Sequence, residues 1–104
     1  VWLVALLLPA TGALTLWFGW YGFNCGSIAE PVGTAEGVSV ASRVALNTTL
    51  AAAAGGACTW FVQAFGWRDK SLPEILHGIL GGLVIVTASA DVVAPWWATL
   101  YGAM

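Results

Sequence analysis

Charge is what this sequence has least of. Only 8% of its 104 residues are Asp, Glu, Lys or Arg, against about 25% in a soluble domain. Too few charges exist to solvate a water-soluble fold of this size. They also cluster (Glu30, Glu36, Arg43, Arg68, Asp69, Lys70, Glu74, Asp91), so that residues 1–29 and 44–67 carry none and Asp91 stands alone after residue 74. Three basic residues and a net charge of −2 leave no basic stripe to neutralise phosphates, which excludes nucleic acid as a partner. Cysteine is scarce too. Cys25 and Cys58 are far apart and form no C-x-x-C, so both are expected to be free thiols. The single histidine, His77, has no HExxH-type companion, and Gly-rich phosphate loops and a GxSxG elbow are missing. No metal, no cofactor and no enzymatic activity are expected.

What remains is 60% apolar and arranged in long uncharged tracts. A run of about 18 or more such residues reads as a transmembrane helix. The chain starts at Val1 inside an apolar run with no basic leader region, which does not suit a signal peptide, and it stops at Met104 inside another. The expectation is an internal fragment of one transmembrane domain in a longer, polytopic all-α protein. Its partners would be the lipid bilayer and the remaining helices of the parent.

The first helix is expected over about 2–26, with Pro9 able to kink it. Residues 28–37, with Pro31, Gly33, Gly37 and two glutamates, read as a loop. The second helix is expected over about 39–66, capped by Ser39 or Ser42, with Arg43 snorkelling to the interface. Its Ala- and Gly-rich core lets other helices approach closely. Residues 67–73 read as a short polar turn and 72–90 as a third helix, with small faces at Gly78, Gly81 and Gly82. Asp91 is expected to cap that helix at the far interface. Pro95 opens a fourth helix, with Trp96 and Trp97 at headgroup level.

Some polar residues fall inside these tracts. Asn47 and Thr48 are expected to hydrogen-bond across helices. Asn24 is expected to bond backbone or a neighbouring helix and so help hold Phe23. Asn47-Thr48-Thr49 matches the glycosylation sequon, but an intramembrane Asn is no acceptor. His77 reads as an interfacial or packing residue.

The first helix also carries a stripe. At 100° per residue Leu16, Trp20, Phe23 and Ser27 fall within roughly 60° of one line and climb about 16 Å. Aromatic faces beside a hydroxyl acceptor suit a small cation, which ring π-faces attract within about 6 Å. Helix packing would use the same spacing.

The words WFGWYGFNCGS (17–27), ALNTTLAAAAGG (45–56) and HGILGGLVIVTA (77–88) resemble, in this order and spacing, the ammonium transporter family (Amt/Mep/Rh). The resemblance covers nearly the whole chain, as the sixth to eighth helices and the start of the ninth. It implies part of the eleven-helix ammonium transporter fold: a multi-pass plasma-membrane protein and homotrimer, each subunit conducting ammonium or ammonia through its own narrow apolar pore. By the same resemblance, Phe23 matches a gate phenylalanine, Ser27 the serine of the outer recruitment site and Trp20 the pore tryptophan below the gate. Leu16 matches a pore-lining leucine one turn deeper, and Thr87 a threonine reaching the pore from the third helix. The family's paired pore histidines lie on helices outside this stretch, and His77 is not one of them. Two other readings stand beside the transporter: an Amt-like sensing module fused to a signalling domain, and a pseudo-transporter kept for assembly.

Lys and Arg favour the cytoplasmic side. Arg68 and Lys70 therefore put the 67–73 turn in the cytoplasm and Glu30 and Glu36 outside. A cysteine introduced at Ser71 of the full-length protein, with Cys25 and Cys58 replaced, should resist an impermeant thiol reagent on intact cells and react after permeabilisation. Strong labelling from outside would invert the topology.

Overall fold

The computed structural model describes residues 1–28, 33–66 and 70–104. Glu30 and Pro31 in the first connection, and Arg68 and Asp69 in the second, lie outside the described residues. Among the described residues there is no strand. Four helices follow one another: α1 (Trp2–Gly26), α2 (Ala35–Ala64), α3 (Leu72–Thr87) and α4 (Pro95–Ala103). Among the described residues, α1 alone is long and apolar enough, by length and composition, to cross a membrane.

Three boundaries differ from the expected ones, each for a local reason. α2 starts at Ala35, not at Ser39, because Thr34 caps it. The Thr34 hydroxyl accepts the Gly37 amide at 3.0 Å, and Glu36 in the first turn suits the positive end of the helix dipole. Ser39 therefore lies inside the helix. So does Ser42, whose hydroxyl donates back to the Val38 carbonyl at 2.8 Å. α2 ends at Ala64 because Gly66 takes φ +75°, a left-handed stop that glycine adopts without a Cβ penalty. α3 ends at Thr87 rather than near residue 90, and residues 88–92 continue as turns.

That last difference traces to Asn47. Its side-chain nitrogen donates to the carbonyls of Ala90 at 2.8 Å and Val93 at 2.9 Å. Carbonyls that a longer helix would pair internally are captured from α2. Pro95 has no amide to extend the ladder, and it biases Ala94 to the extended conformation seen there, ψ 151°. The expected cross-helix role of Asn47 is thus realised as a cap on the end of α3.

α2 is the hub: it touches α1, α3 and α4, while α1 and α4 do not meet. Its approach is close because small residues permit it. A Cβ on Gly55 would collide with the Gly78 carbonyl of α3, and one on Gly82 or Gly102 with the backbone of Ala51. Val44, Ala51, Val86, Ala90 and Ala98 form the packed centre. Across the second connection Gln63 pairs reciprocally with Ser71. Its amide nitrogen donates to the Ser71 carbonyl at 3.1 Å, and its oxygen accepts the Ser71 amide at 3.3 Å. The assembly is a slab of 48 × 28 × 15 Å, with much of the apolar surface of α1 turned outward.

Because backbone rather than side chain meets Gly55, Gly55→Ala in the full-length protein should cost about 1–3 kcal/mol, as overpacking does. Ala57→Gly, on the exposed side of the same helix, should cost no more than the helix propensity of glycine, about 1 kcal/mol. Unfolding in detergent micelles measures both; equal losses would contradict the close approach.

Candidate functional site

The upper third of α1 is fastened to its neighbours by side chains whose donors and acceptors are fixed by threonine. A helical threonine can donate its proton to the carbonyl four residues back, which leaves only lone pairs for a partner. Thr87 does this to Leu83 at 2.7 Å, and its oxygen accepts the indole N–H of Trp20 at 2.8 Å. Thr48 does it to Val44 at 2.7 Å and accepts the Asn24 side-chain amide at 3.0 Å. Thr49 does it to Ala45 at 2.9 Å. Its 2.5 Å contact with the Tyr21 hydroxyl therefore has tyrosine as donor, which frees the tyrosine oxygen to accept the Trp17 indole at 3.1 Å.

These bonds decide how the stripe stands. With Trp20 fixed to α3, Phe23 lies one turn on, its ring centroid 6.2 Å from that of Trp20 and inclined by 57°. Such spacing and tilt suit paired aromatic quadrupoles. Phe23 is 58% exposed and lines a cavity of about 290 Å³ together with Asn24, Ser27, Thr87, Ala90 and Asp91. Ser27 donates its proton to the Phe23 carbonyl at 2.5 Å, so its oxygen offers lone pairs alone. Asn24 is buried, and its Oδ1 has no partner among the described residues.

The structure thus joins four of the five residues singled out in the sequence. Phe23, Ser27 and Thr87 line one cavity, and Trp20 is bonded to its wall. Leu16 stands apart. It is exposed and borders a separate hollow of about 240 Å³ with Pro9, Gly12, Ala13, Leu76 and His77. Asp91, expected only as a helix cap, stands beside Ser27 and Asn24 in the cavity wall. Nothing in linear spacing joins residues 27 and 91; only the parallel course of α1 and α3, which brings their C-terminal ends together, does. Both cysteines are free thiols, and the Cys25 Sγ lies 3.6 Å from the Ala41 carbonyl.

A family model described as Ammonium Transporter Family matches residues 5–104. The chain belongs to the ammonium transporter family. It is 46% identical over 96 residues to a Synechocystis sp. chain whose name places it among ammonium transporters, covering 88% of this chain and 21% of that one. It is 39% identical over 102 residues to ammonium transporter 1 member 3 of Solanum lycopersicum, covering 91% and 22%. To ammonium transporter 1 member 1 of Oryza sativa subsp. japonica it is 37% identical over 102 residues, covering 91% and 20%. The chain therefore spans about one fifth of the length of these relatives. No solved structure matches it significantly. As a member of this family the chain is part of an α-helical membrane protein.

For this ammonium transporter segment the Trp20–Thr87 bond can be tested directly. Thr87→Val leaves the part-buried indole N–H without an acceptor, a loss of about 1–3 kcal/mol, whereas Thr87→Ser keeps the oxygen. Melting of the full-length protein in detergent should separate the two. Equal melting would remove the bond from the list of forces that hold α1 to α3.

Proposed function

We propose that the full-length protein moves ammonium or ammonia across the membrane, and that this segment supplies part of its pore. Residues of α1 and α3 would form the outer mouth and one side of the gate. The observation that carries this reading is the cavity under Phe23. A half-exposed aromatic ring, beside the Trp20 that is bonded to Thr87, lines a pocket in which Ser27, Thr87 and Asp91 alternate with Ile28, Val44, Ala88 and Ala90. Ammonium carries four N–H donors and no acceptor, so oxygens whose protons are already committed elsewhere are suited to it. Leu16, two turns back along α1, borders a separate, apolar hollow, which we take as the next stretch of the passage. A dry constriction there disfavours the ion and favours loss of its proton, as desolvation does for a buried lysine.

The roles follow from the positions. Ser27 receives the ion, Phe23 occludes the passage, Trp20 faces the species that passes, and Leu16 lines the stretch below. Thr87 keeps Trp20 in place. The described ends agree with one polarity. Ser27 and Asp91 share one end of the slab, and Lys70 borders a hollow with Trp60, Gln63 and Ser71 at the second connection. We place the first end outside and the second in the cytoplasm, in a plasma-membrane homotrimer. The named relatives are transporters, and no observation favours the sensing module or the pseudo-transporter.

Uptake against ammonium concentration, at matched membrane expression of the full-length protein, tests the roles. Ser27→Ala removes one acceptor and should weaken apparent affinity with a smaller effect at saturation. A hydrogen bond to a charged group is worth about 1.5–3 kcal/mol. Phe23→Ala should change passage more than assembly. A ring that merely packs would instead cost stability, about 3–5 kcal/mol for a buried Phe→Ala. Unchanged uptake in both variants would return the stripe to ordinary packing.

A further inference from the structure

The cavity under Phe23 holds more acceptors than the sequence pattern pointed to. Close behind its wall lies the side-chain carbonyl oxygen of Asn24. Its amide orientation is not arbitrary: Thr48 has given its proton to Val44, so it can only accept, and the Asn24 nitrogen must face it. Oδ1 is left on the other side, buried and unpartnered among the described residues, in a residue that lines the cavity. An orphaned buried acceptor is costly unless something donates to it. The same wall carries Asp91, in the exposed turn after α3. Ser27 and Asp91 line this cavity together, and the Ser27 hydroxyl, its proton given to the Phe23 carbonyl, can only accept. The volume of about 290 Å³ compares with about 30 Å³ per water in the liquid, enough for a small cation that still carries several waters.

We infer that Asp91 is the charge-bearing member of the recruitment site, and that with Ser27 it holds a partly hydrated N–H cation at the mouth. The identity of the cation rests on the transport reading; the charge complementarity does not. Asp91 lies at the solvent-facing turn rather than along the apolar passage, so it acts on capture. It concentrates cations at the entrance and leaves the rate of the later, dry steps unaltered.

Purified full-length protein is titrated calorimetrically with ammonium chloride while sodium chloride is raised from about 0.01 to about 0.15 M, which shortens the screening length from about 30 to about 8 Å. The native protein should bind more weakly as salt rises. Asp91→Asn and Asp91→Ser should each bind about two- to fivefold more weakly at low salt, the range of exposed charge pairs, and should lose most of the salt dependence. Asp91→Glu should restore it. In proteoliposomes the neutral variants should show a raised KM with unchanged maximal rate. Two neutral variants that elute and melt like the native protein, with native affinity and native salt dependence, would overturn the assignment while leaving transport intact. A native protein that binds ammonium in this charge-dependent way but moves none would instead overturn the transport reading and leave the site standing.

Discussion

The interaction on which the rest depends is the threonine hydroxyl bonded back to its own helix. Between helices in lipid there is no hydrophobic drive, since the surroundings are as apolar as the side chains. α1 has only two buried residues, Ala13 and Asn24, so packing alone does little to fix its rotation. Thr48, Thr49 and Thr87 do it instead. Each has settled its own proton, so each accepts from one donor in one direction. Three such contacts, to Asn24, Tyr21 and Trp20, lie within little more than one turn of α1. They set the angular position of the helix and therefore which residues face the cavity.

The small residues of α2 are the complement of this. Close backbone contact at Gly55, Gly78, Gly82 and Gly102 brings α3 and α4 against the hub with little tolerance for sliding. Asn47 then locks the register by holding the carbonyls of Ala90 and Val93. The position of Asp91 follows. It sits between two carbonyls bound to α2, so an exposed turn residue is held in a defined place beside Ser27. Polar bonds orient α1, small residues set the spacing of α2 and α3, and the mouth is where the two meet.

Much of this was legible in one dimension. Uncharged tracts and their Pro and Gly punctuation placed the helices, because the hydrocarbon thickness imposes a length that composition reveals. The stripe from Leu16 to Ser27 was legible because it lies on one helix, where periodicity is geometry. The start of α2 was missed although Thr34 is an ordinary cap: the glycines and glutamates around it read as loop, and the hydrogen bond to Gly37 outweighed them. The end of α3 was missed for a different reason. Asn47, which holds the turn beyond that end, is 43 positions from the Ala90 carbonyl it binds, and no local pattern carries that. Asp91 and the free oxygen of Asn24 were illegible as site residues on the same grounds. One depends on the parallel pairing of α1 with α3, the other on which way an amide is turned by a threonine on α2.

On the proposed transport reading, the arrangement would also reconcile two opposed demands on a site that takes in an ion and passes it through a dry constriction. Strong binding at the mouth favours capture but deepens the well from which the ion must leave. Weak binding gives too little occupancy at low concentration. A carboxylate at an exposed turn acts over distance and is screened by water and salt, so it raises local concentration without a large binding energy. On that reading Ser27 supplies a short-range acceptor that replaces only part of the hydration shell. Phe23 then presents a ring whose face attracts the cation but accepts no conventional hydrogen bond. Each step inward exchanges oxygen for carbon and charge for quadrupole, so the ion meets a graded loss of solvation rather than a single wall. A chain with the same aromatic stripe but a buried, tightly paired carboxylate at the mouth would hold its ion too firmly to hand it on.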